Sequence, residues 1–232
     1  MAMTQPIMPL ASYSAYRRHC AAQGYCDPFI PFVGDEYGAN EGVKFAYCGG
    51  AAWWAEEHDL IEDDAEALER GAKLTREFVA DGMYNAPYWR LFWKIAGIVP
   101  GLAGQPDDVL LNRFAWTNIS KTGVVGQSSP PDNDEHLRQL DIEQFNYELN
   151  ILQPELLVCV SGSLVPSTAY ALFDDPEWQV VEGIQPLTAS TWIRRSKSGS
   201  WLLWTMHPAY KPRAWFDSVL ADVQVVLDAI AD

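Results

Sequence analysis

Short, continuous apolar runs are the feature that most constrains the fold of this chain. The clearest runs are Leu156–Val160 and Trp201–Met206, and neither alternates apolar with polar residues. Continuous apolar strands are typical of parallel sheets that helices cover on both faces. Helical periodicity fills the stretches between the runs, and Trp215–Ile230 carries a clear apolar stripe. The pattern therefore predicts an α/β protein with a mainly parallel sheet.

The remaining elements follow from the same periodicity and from turn residues. Further strands are expected at Phe29–Val33, Phe114–Ile119, Val180–Val181 and Thr191–Arg194. Further helices are expected at Leu10–Ala22, Ala65–Ala80, Pro87–Ile98 and from Asp134 to Leu152. A length of 232 residues favours one domain over 1–232, with an N-terminal helical extension over 1–28 and a helical insertion over 50–105.

Composition and segment lengths exclude several classes of protein. Hydrophobic residues make up 48% of the chain and charged residues 20%, which excludes a disordered chain and predicts a sizeable core. No apolar run approaches the roughly 18–20 residues that cross a bilayer, and no secretory signal is recognisable. We therefore expect a cytoplasmic protein without a membrane partner. The four cysteines show no metal-binding spacing, so free thiols and no metal site are predicted.

Charge is distributed unevenly along the chain. The 16 basic and 31 acidic residues give a net charge of −15, which argues against a polyanionic partner for the molecule as a whole. Eight acidic residues fall between Glu56 and Glu69, a pattern typical of a solvated helix face. Gly183–Phe216 contains no acidic residue and is locally basic. Its basic residues are Arg194, Arg195, Lys197, Lys211 and Arg213. They represent either scattered surface charge or a basic face.

Polar residues follow several of the predicted strands. Asp35 and Glu36 come after the first strand, Asn118 ends the next, Ser161 follows Leu156–Val160, and His207 follows the last. Ligands of open α/β sheets bind beyond the carboxyl ends of the strands. We therefore expect carboxylates, an amide and an imidazole to converge at one edge of the sheet.

Each of these signals also has a structural interpretation. The glycine-bounded turn Gly34–Gly38 can be a solvated turn, and Asn118 can cap its own loop. A lone histidine such as His207 is often structural. Phe45 and Tyr47 can stack on a planar ligand or belong to the core.

The order of these motifs is more specific than any one of them. Phe32–Gly38, Tyr47–Gly49, Trp116–Ile119, Gln153–Gly162 and Trp204–Pro208 occur in an order that resembles the uracil-DNA glycosylase superfamily. The resemblance extends from about Phe29 to the end of the chain. It implies a single three-layer domain with a central four-stranded, mainly parallel sheet between helices.

The resemblance also implies an activity, in which a base is flipped out of DNA and its N-glycosidic bond is hydrolysed. Asn118 would read the edge of the base, and Tyr47 or Phe45 would stack on it. The predicted ligand-contacting set is Gly34, Tyr37, Gly38, Phe45, Tyr47, Asn118, Ser161 and Tyr210. DNA, single- or double-stranded, would be the partner, bound weakly and in a salt-dependent way through the basic residues named above. A monomer without a cofactor is expected.

The catalytic roles implied by the resemblance fall on three residues. Glu36, or Asp35 in its place, would position the attacking water, and His207 would stabilise the departing base anion. Cleavage builds positive charge on the sugar and negative charge on the base, so a carboxylate and an imidazole suit the reaction.

Some residues depart from the family pattern. Tyr37 stands where the family usually has proline, and Lys211 follows the His-Pro motif where an apolar wedge is usual, although Tyr210 can intercalate. Cysteine spacing does not suit an iron–sulfur cluster. These departures keep open a specialised or non-catalytic member that binds a nucleotide, nucleic acid or protein. An unrelated α/β enzyme is the third alternative, although no nucleophile elbow or phosphate loop is present.

Overall fold

The computed structural model describes residues 7–39, 42–51, 62–81, 85–124, 131, 133–162 and 166–232. Its strands are β1 (Phe32–Val33), β2 (Phe45–Ala51), β3 (Phe114–Ser120), β4 (Leu156–Cys159), β5 (Trp178–Val180), β6 (Trp192–Ser196) and β7 (Trp201–Trp204). Its helices are α1 (Leu10–Gln23), α2 (Asp64–Ala80), α3 (Pro87–Ala96), α4 (Asp107–Leu111), α5 (Glu135–Leu152), α6 (Pro166–Phe173) and α7 (Arg213–Ala231).

All the described strands form one mixed sheet in the order β1-β3-β2-β4-β7-β6-β5. The middle four strands, β3-β2-β4-β7, are parallel to one another. β1 is antiparallel to β3 at one edge, and β6 and β5 continue antiparallel from β7 at the other. The α/β class is confirmed. The predicted four-stranded sheet is wrong, because short antiparallel strands at both edges extend it to seven strands among the described residues.

β2 lies at the centre of the sheet although the sequence pattern did not predict it. Its sequence contains two consecutive glycines and two alanines, which weaken the strand signal. The residues from Phe45 to Cys48 are nevertheless fully buried between β3 and β4. Burial on both faces of a central strand therefore outweighs the intrinsic propensity of its residues.

Helices cover both faces of the sheet. On one face, Phe92 of α3 and Val223 of α7 share a core with Tyr47 and Phe114. On the other, Phe145 of α5 belongs to the core that also contains Phe173 of α6, Leu157 and Leu202. Strands buried on both faces account for their continuous apolar sequence.

Helix α1 packs against both α2 and α5. Asp134 caps α5 as predicted, because its side chain accepts a hydrogen bond from the Leu137 N–H at 2.9 Å. Of the predicted insertion over 50–105, the structure describes α2 and α3, whereas residues 52–61 and 82–84 lie outside the described residues. Within the described part of the chain, no helix combines the length and apolarity needed to cross a bilayer.

Candidate functional site

The carboxyl ends of β2 and β3 bring Gly49 and Asn118 side by side. The two residues are cross-strand partners in the parallel ladder. A Cβ atom on Gly49 would lie 2.2 Å from Asn118 Oδ1 and 3.3 Å from Tyr88 Oη. The glycine therefore leaves the space that the Asn118 amide occupies. We call the group formed by Gly49, Tyr88, Asn118, Gly162 and His207 the carboxyl-edge site.

Tyr88 connects the first turn of α3 to this site. The hydroxyl of Tyr47 donates a hydrogen bond to the Tyr88 carbonyl at 2.9 Å, which ties the start of the helix to β2. The Tyr88 ring is nearly parallel to the His207 ring, with 6.2 Å between their centroids and 18° between their planes. Tyr88 thus lies next to both Asn118 and His207, so the amide and the imidazole belong to one site.

His207 follows β7 and is held in one tautomer. The Ala209 N–H donates to His207 Nδ1 at 3.2 Å, so Nε2 carries the proton of the neutral ring. Burial lowers the pKa of His207, which keeps the imidazole neutral at pH 7. Gly162 has a φ of +57°, and a Cβ there would lie 2.6 Å from the His207 backbone nitrogen. Close approach of the loop after β4 therefore positions the histidine backbone.

Two buried hydrogen-bond donors at this site have no acceptor among the residues that the structure describes. Tyr88 Oη and Trp116 Nε1 are buried, and neither forms a hydrogen bond with the described residues. Burial raises the pKa of Tyr88 well above its ordinary value. Tyr88 therefore stays protonated and can donate. Because buried polar atoms normally have partners, these donors point to a ligand or water that accepts hydrogen bonds.

The glycine-bounded turn Gly34–Gly38 lies at the amino ends of the parallel strands, opposite the carboxyl-edge site. The Gly34 N–H donates to the Phe114 carbonyl at 3.0 Å, and the Glu36 N–H donates to the Asn112 carbonyl at 2.8 Å. Both acceptors lie at the amino end of β3. The expected convergence of Asp35 and Glu36 with His207 is therefore wrong. The carboxyl-end rule applies to parallel strands, and β1 is antiparallel to its neighbour.

The side chains of this motif have structural partners. Asp35 pairs with Arg76 at 3.0 Å, and Glu36 pairs with Arg113 at 3.1 Å. A Cβ on Gly34 would lie 2.2 Å from the Asn112 carbonyl oxygen, so this glycine serves a close backbone approach. These contacts favour the interpretation of Gly34–Gly38 as a structural turn.

Other predicted ligand contacts belong to the protein interior. Phe45 and Tyr47 are fully buried in the core beneath α3, so neither presents a face for stacking. Tyr37 packs against the second core, and its buried hydroxyl has no partner among the described residues. Ser161 is fully buried and accepts a hydrogen bond from the Trp204 indole at 2.8 Å.

Gly38 lies at the amino ends of the parallel strands, and Tyr210 follows the carboxyl end of β7. Gly38 is in the β1 turn with a φ of +68°, and the Lys44 side chain packs against it. Tyr210 follows the His-Pro motif, is 103% exposed, and has a φ of +60° that a non-glycine residue seldom adopts. Of this pair, only Tyr210 lies close in sequence to the carboxyl-edge site.

The predicted basic face divides into separate parts. β6 runs from the carboxyl edge of β7 towards its amino edge, so Arg195 pairs with Trp201 at the start of β7. Arg194 forms an ion pair with Asp174 at 2.7 Å. Lys197 follows β6 and lies 3.8 Å from a Glu177 carboxylate oxygen.

Lys211 and Arg213 form the other part of the basic set, close in sequence to His207. The Lys211 ammonium lies 5.9 Å from the centre of the Trp215 ring. Arg213 is exposed and begins α7. Of the predicted basic residues, these two lie closest in sequence to His207.

Tyr88, Gly49 and Gly162 were not predicted as site residues. Pro87 at the start of α3 marks the helix start, but no sequence signal places the next side chain against β2. Among the described residues, no group of histidine, cysteine or acidic side chains is arranged to hold a metal ion. Comparison of the sequence with protein-family models gives no match, and comparison with curated proteins gives none either.

Proposed function

We propose that this protein binds a nucleobase at the carboxyl-edge site and hydrolyses the N-glycosidic bond that joins the base to DNA. One observation carries the proposal. The Asn118 amide and the Tyr88 hydroxyl both lie beside Gly49, the Tyr88 ring is nearly parallel to the His207 ring, and the Tyr88 hydroxyl has no acceptor among the described residues. The resemblance to the uracil-DNA glycosylase superfamily supports the same reaction.

The donors of the site favour a base rich in carbonyl groups. The Asn118 amide offers donors and an acceptor, which match the N–H and an adjacent carbonyl of a pyrimidine edge. Tyr88 adds a hydroxyl donor 3.3 Å from the position of a Gly49 Cβ. Uracil has carbonyl oxygens on both sides of its ring N–H, whereas cytosine has an amino group at one of these positions. Uracil or a similar damaged base is therefore the proposed substrate.

His207 would assist the bond cleavage itself. When the glycosidic bond breaks, its electron pair goes to the base, and negative charge develops on the ring nitrogen and the adjacent carbonyl oxygen. The neutral imidazole donates from Nε2, because Nδ1 already accepts a backbone hydrogen bond. A donor placed in advance at such a charge contributes about 10²- to 10³-fold in rate.

The surface beside the site suits a nucleic-acid strand. Tyr210 extends fully into solvent next to His207, where an aromatic ring can insert between bases. Lys211 and Arg213 supply positive charge for phosphate groups. Because the whole chain carries a net charge of −15, we expect weak binding that falls steeply with salt.

Release of bases from labelled oligonucleotides tests the proposal. The substrates contain uracil, hypoxanthine or thymine mismatches, in single and double strands at low salt, and the protein comes from a host without its own uracil glycosylase. The control is His136→Ala, since His136 is an exposed histidine on α5. We expect abasic sites from wild type and the control, and a loss of about 10²- to 10³-fold in His207→Ala. Equal release by all variants would contradict the role of His207.

A second candidate is binding of a nucleobase or nucleotide without cleavage. The position of Asp35 and Glu36 at the amino edge favours it, because neither carboxylate can activate a water molecule next to His207. This candidate predicts no abasic sites with any substrate. It also predicts a rise in Tm with free uracil or uridine nucleotides that is lost in Asn118→Ala.

A further inference from the structure

A fully buried ion pair lies directly behind Asn118. Lys121 follows β3, and its Nζ is 2.9 Å from Glu148 Oε2 on α5; both side chains are 0% exposed. Lysine and glutamate are almost never fully buried unless they are paired. Such pairs are often replaceable by apolar residues without loss of stability. The presence of this pair therefore calls for an explanation other than stability.

The hydrogen bonds of the Lys121 ammonium fix its orientation. Nζ donates to Thr117 Oγ1 at 2.7 Å, to Glu148 Oε2, and through a short hydrogen bond to the Asn118 backbone carbonyl. An ammonium group has three N–H donors, so each one has an acceptor. The ammonium cannot rotate without breaking one of these hydrogen bonds.

Glu148 is anchored in the same way. Its Oε2 also accepts the Thr117 hydroxyl at 2.5 Å, and its Oε1 accepts the Gln144 side-chain amide at 2.8 Å. Gln144 and Glu148 both lie on α5, so the carboxylate is attached to a long, packed helix. The ion pair thus connects the carbonyl of Asn118 to a rigid element.

This connection adds to the pairing of β3 with β2, in which Asn118 is the partner of Gly49. β1 pairs with β3 only at Ala115 and Trp116, and Asn118 lies beyond the end of that ladder. The side chain of Thr117 faces α5, whereas the side chain of Asn118 lies against Gly49 at the carboxyl-edge site. Holding the Asn118 carbonyl restricts the peptide plane and hence the direction in which the amide enters the site.

We propose that Lys121, held by Glu148, is a positioning residue that aligns the Asn118 amide with the base. The inference rests on the proposed function, since it concerns the recognition of that base. A displacement of about 1 Å in a recognition group costs about 10²-fold in rate. We therefore expect the pair to affect the base-dependent step beyond any effect on stability.

A double-mutant cycle with Asn118→Ala separates positioning from stability. The test variant is Lys121→Met combined with Glu148→Gln, which removes both buried charges at similar volume. We expect it to fold and to lose about 10²-fold in uracil release, with little further loss when Asn118→Ala is added. The control is Asp222→Asn, another fully buried carboxylate, which binds the backbone of Leu187 and Thr188. Its effect should add to that of Asn118→Ala.

Two results would overturn the inference. One is a folded test variant with wild-type release, and the other is an Asn118→Ala effect of equal size in both backgrounds. If the test variant does not fold, Glu148→Asp, which keeps both charges and withdraws the carboxylate, takes its place in the same cycle. Absence of any release or uracil binding by wild type would instead refute the proposed function, and this inference with it.

Discussion

Replacing Gly49 by alanine should disable the carboxyl-edge site while leaving the fold intact. Gly49 lies inside a strand and has no positive φ, so the backbone accepts an alanine. The new Cβ would lie 2.2 Å from Asn118 Oδ1, whereas ordinary contacts begin at 3.4 Å. The amide of Asn118 must therefore move by about 1 Å or rotate away, and Tyr88 Oη must shift by a few tenths of an ångström.

The size of this displacement sets the expected effect. A misplacement of about 1 Å in a recognition group costs about 100-fold in rate, or about 2.7 kcal/mol in the activation barrier. The atom that has to move is the end of a side chain and not backbone, so the loss of folding stability should be small. We therefore expect a large loss of activity with a nearly unchanged Tm.

Single-turnover base release and thermal unfolding of the same preparation measure both quantities. Gly97→Ala is the matched control, because a Cβ on Gly97 meets no atom closer than 3.4 Å. We expect the control to behave as wild type in both assays. A Gly49→Ala protein with unchanged base release would refute the role of Asn118 in recognition.

Further predictions concern residues whose roles the structure reassigns. Ser161→Ala leaves the buried Trp204 indole without an acceptor, so it should lower the free energy of unfolding by about 1–3 kcal/mol in denaturant titrations. Base release by the folded Ser161→Ala protein should not change. Tyr47→Phe keeps the ring but removes the hydrogen bond to the Tyr88 carbonyl, so it should cost about 1 kcal/mol of stability, whereas a stacking role would predict no loss. Burial raises the pKa of Asp141 from 3.8 to about 6, so its contribution to stability is present below pH 3.8 and lost as the pH rises through 6. Denaturant titrations from pH 4 to 7 should show wild type losing about 2 kcal/mol relative to Asp141→Asn, and a difference independent of pH would contradict this.

The parallel strands explain how much of the site the sequence could predict. Asn118 lies near the end of a strand, and His207 follows one, and both strands are recognisable from their apolar residues. Both of these strands are parallel members of the sheet, so their carboxyl ends meet at one edge. Asp35 and Glu36 follow a strand of only two residues whose direction depends on its partner. Nothing local in their sequence specifies that direction.

Residues that reach the site only through tertiary packing cannot be recognised from the sequence pattern. Tyr88 enters the site because Tyr47 binds its carbonyl and because α3 packs on the sheet. The strand that holds Tyr47 was itself missed, since its glycines lower the strand signal. The burial of Lys121 depends on Glu148, which lies 27 residues later in the sequence.

Comparison of the two edges of the sheet tests the central claim most directly. Single-turnover release of uracil from a single-stranded oligonucleotide is measured for wild type, for His207→Ala and for the double variant Asp35→Asn/Glu36→Gln. The carboxyl-edge site predicts a loss of about 10²- to 10³-fold in His207→Ala and a wild-type rate in the double variant. Loss of release in the double variant, with His207→Ala unaffected, would contradict the account and move the chemistry to the amino edge.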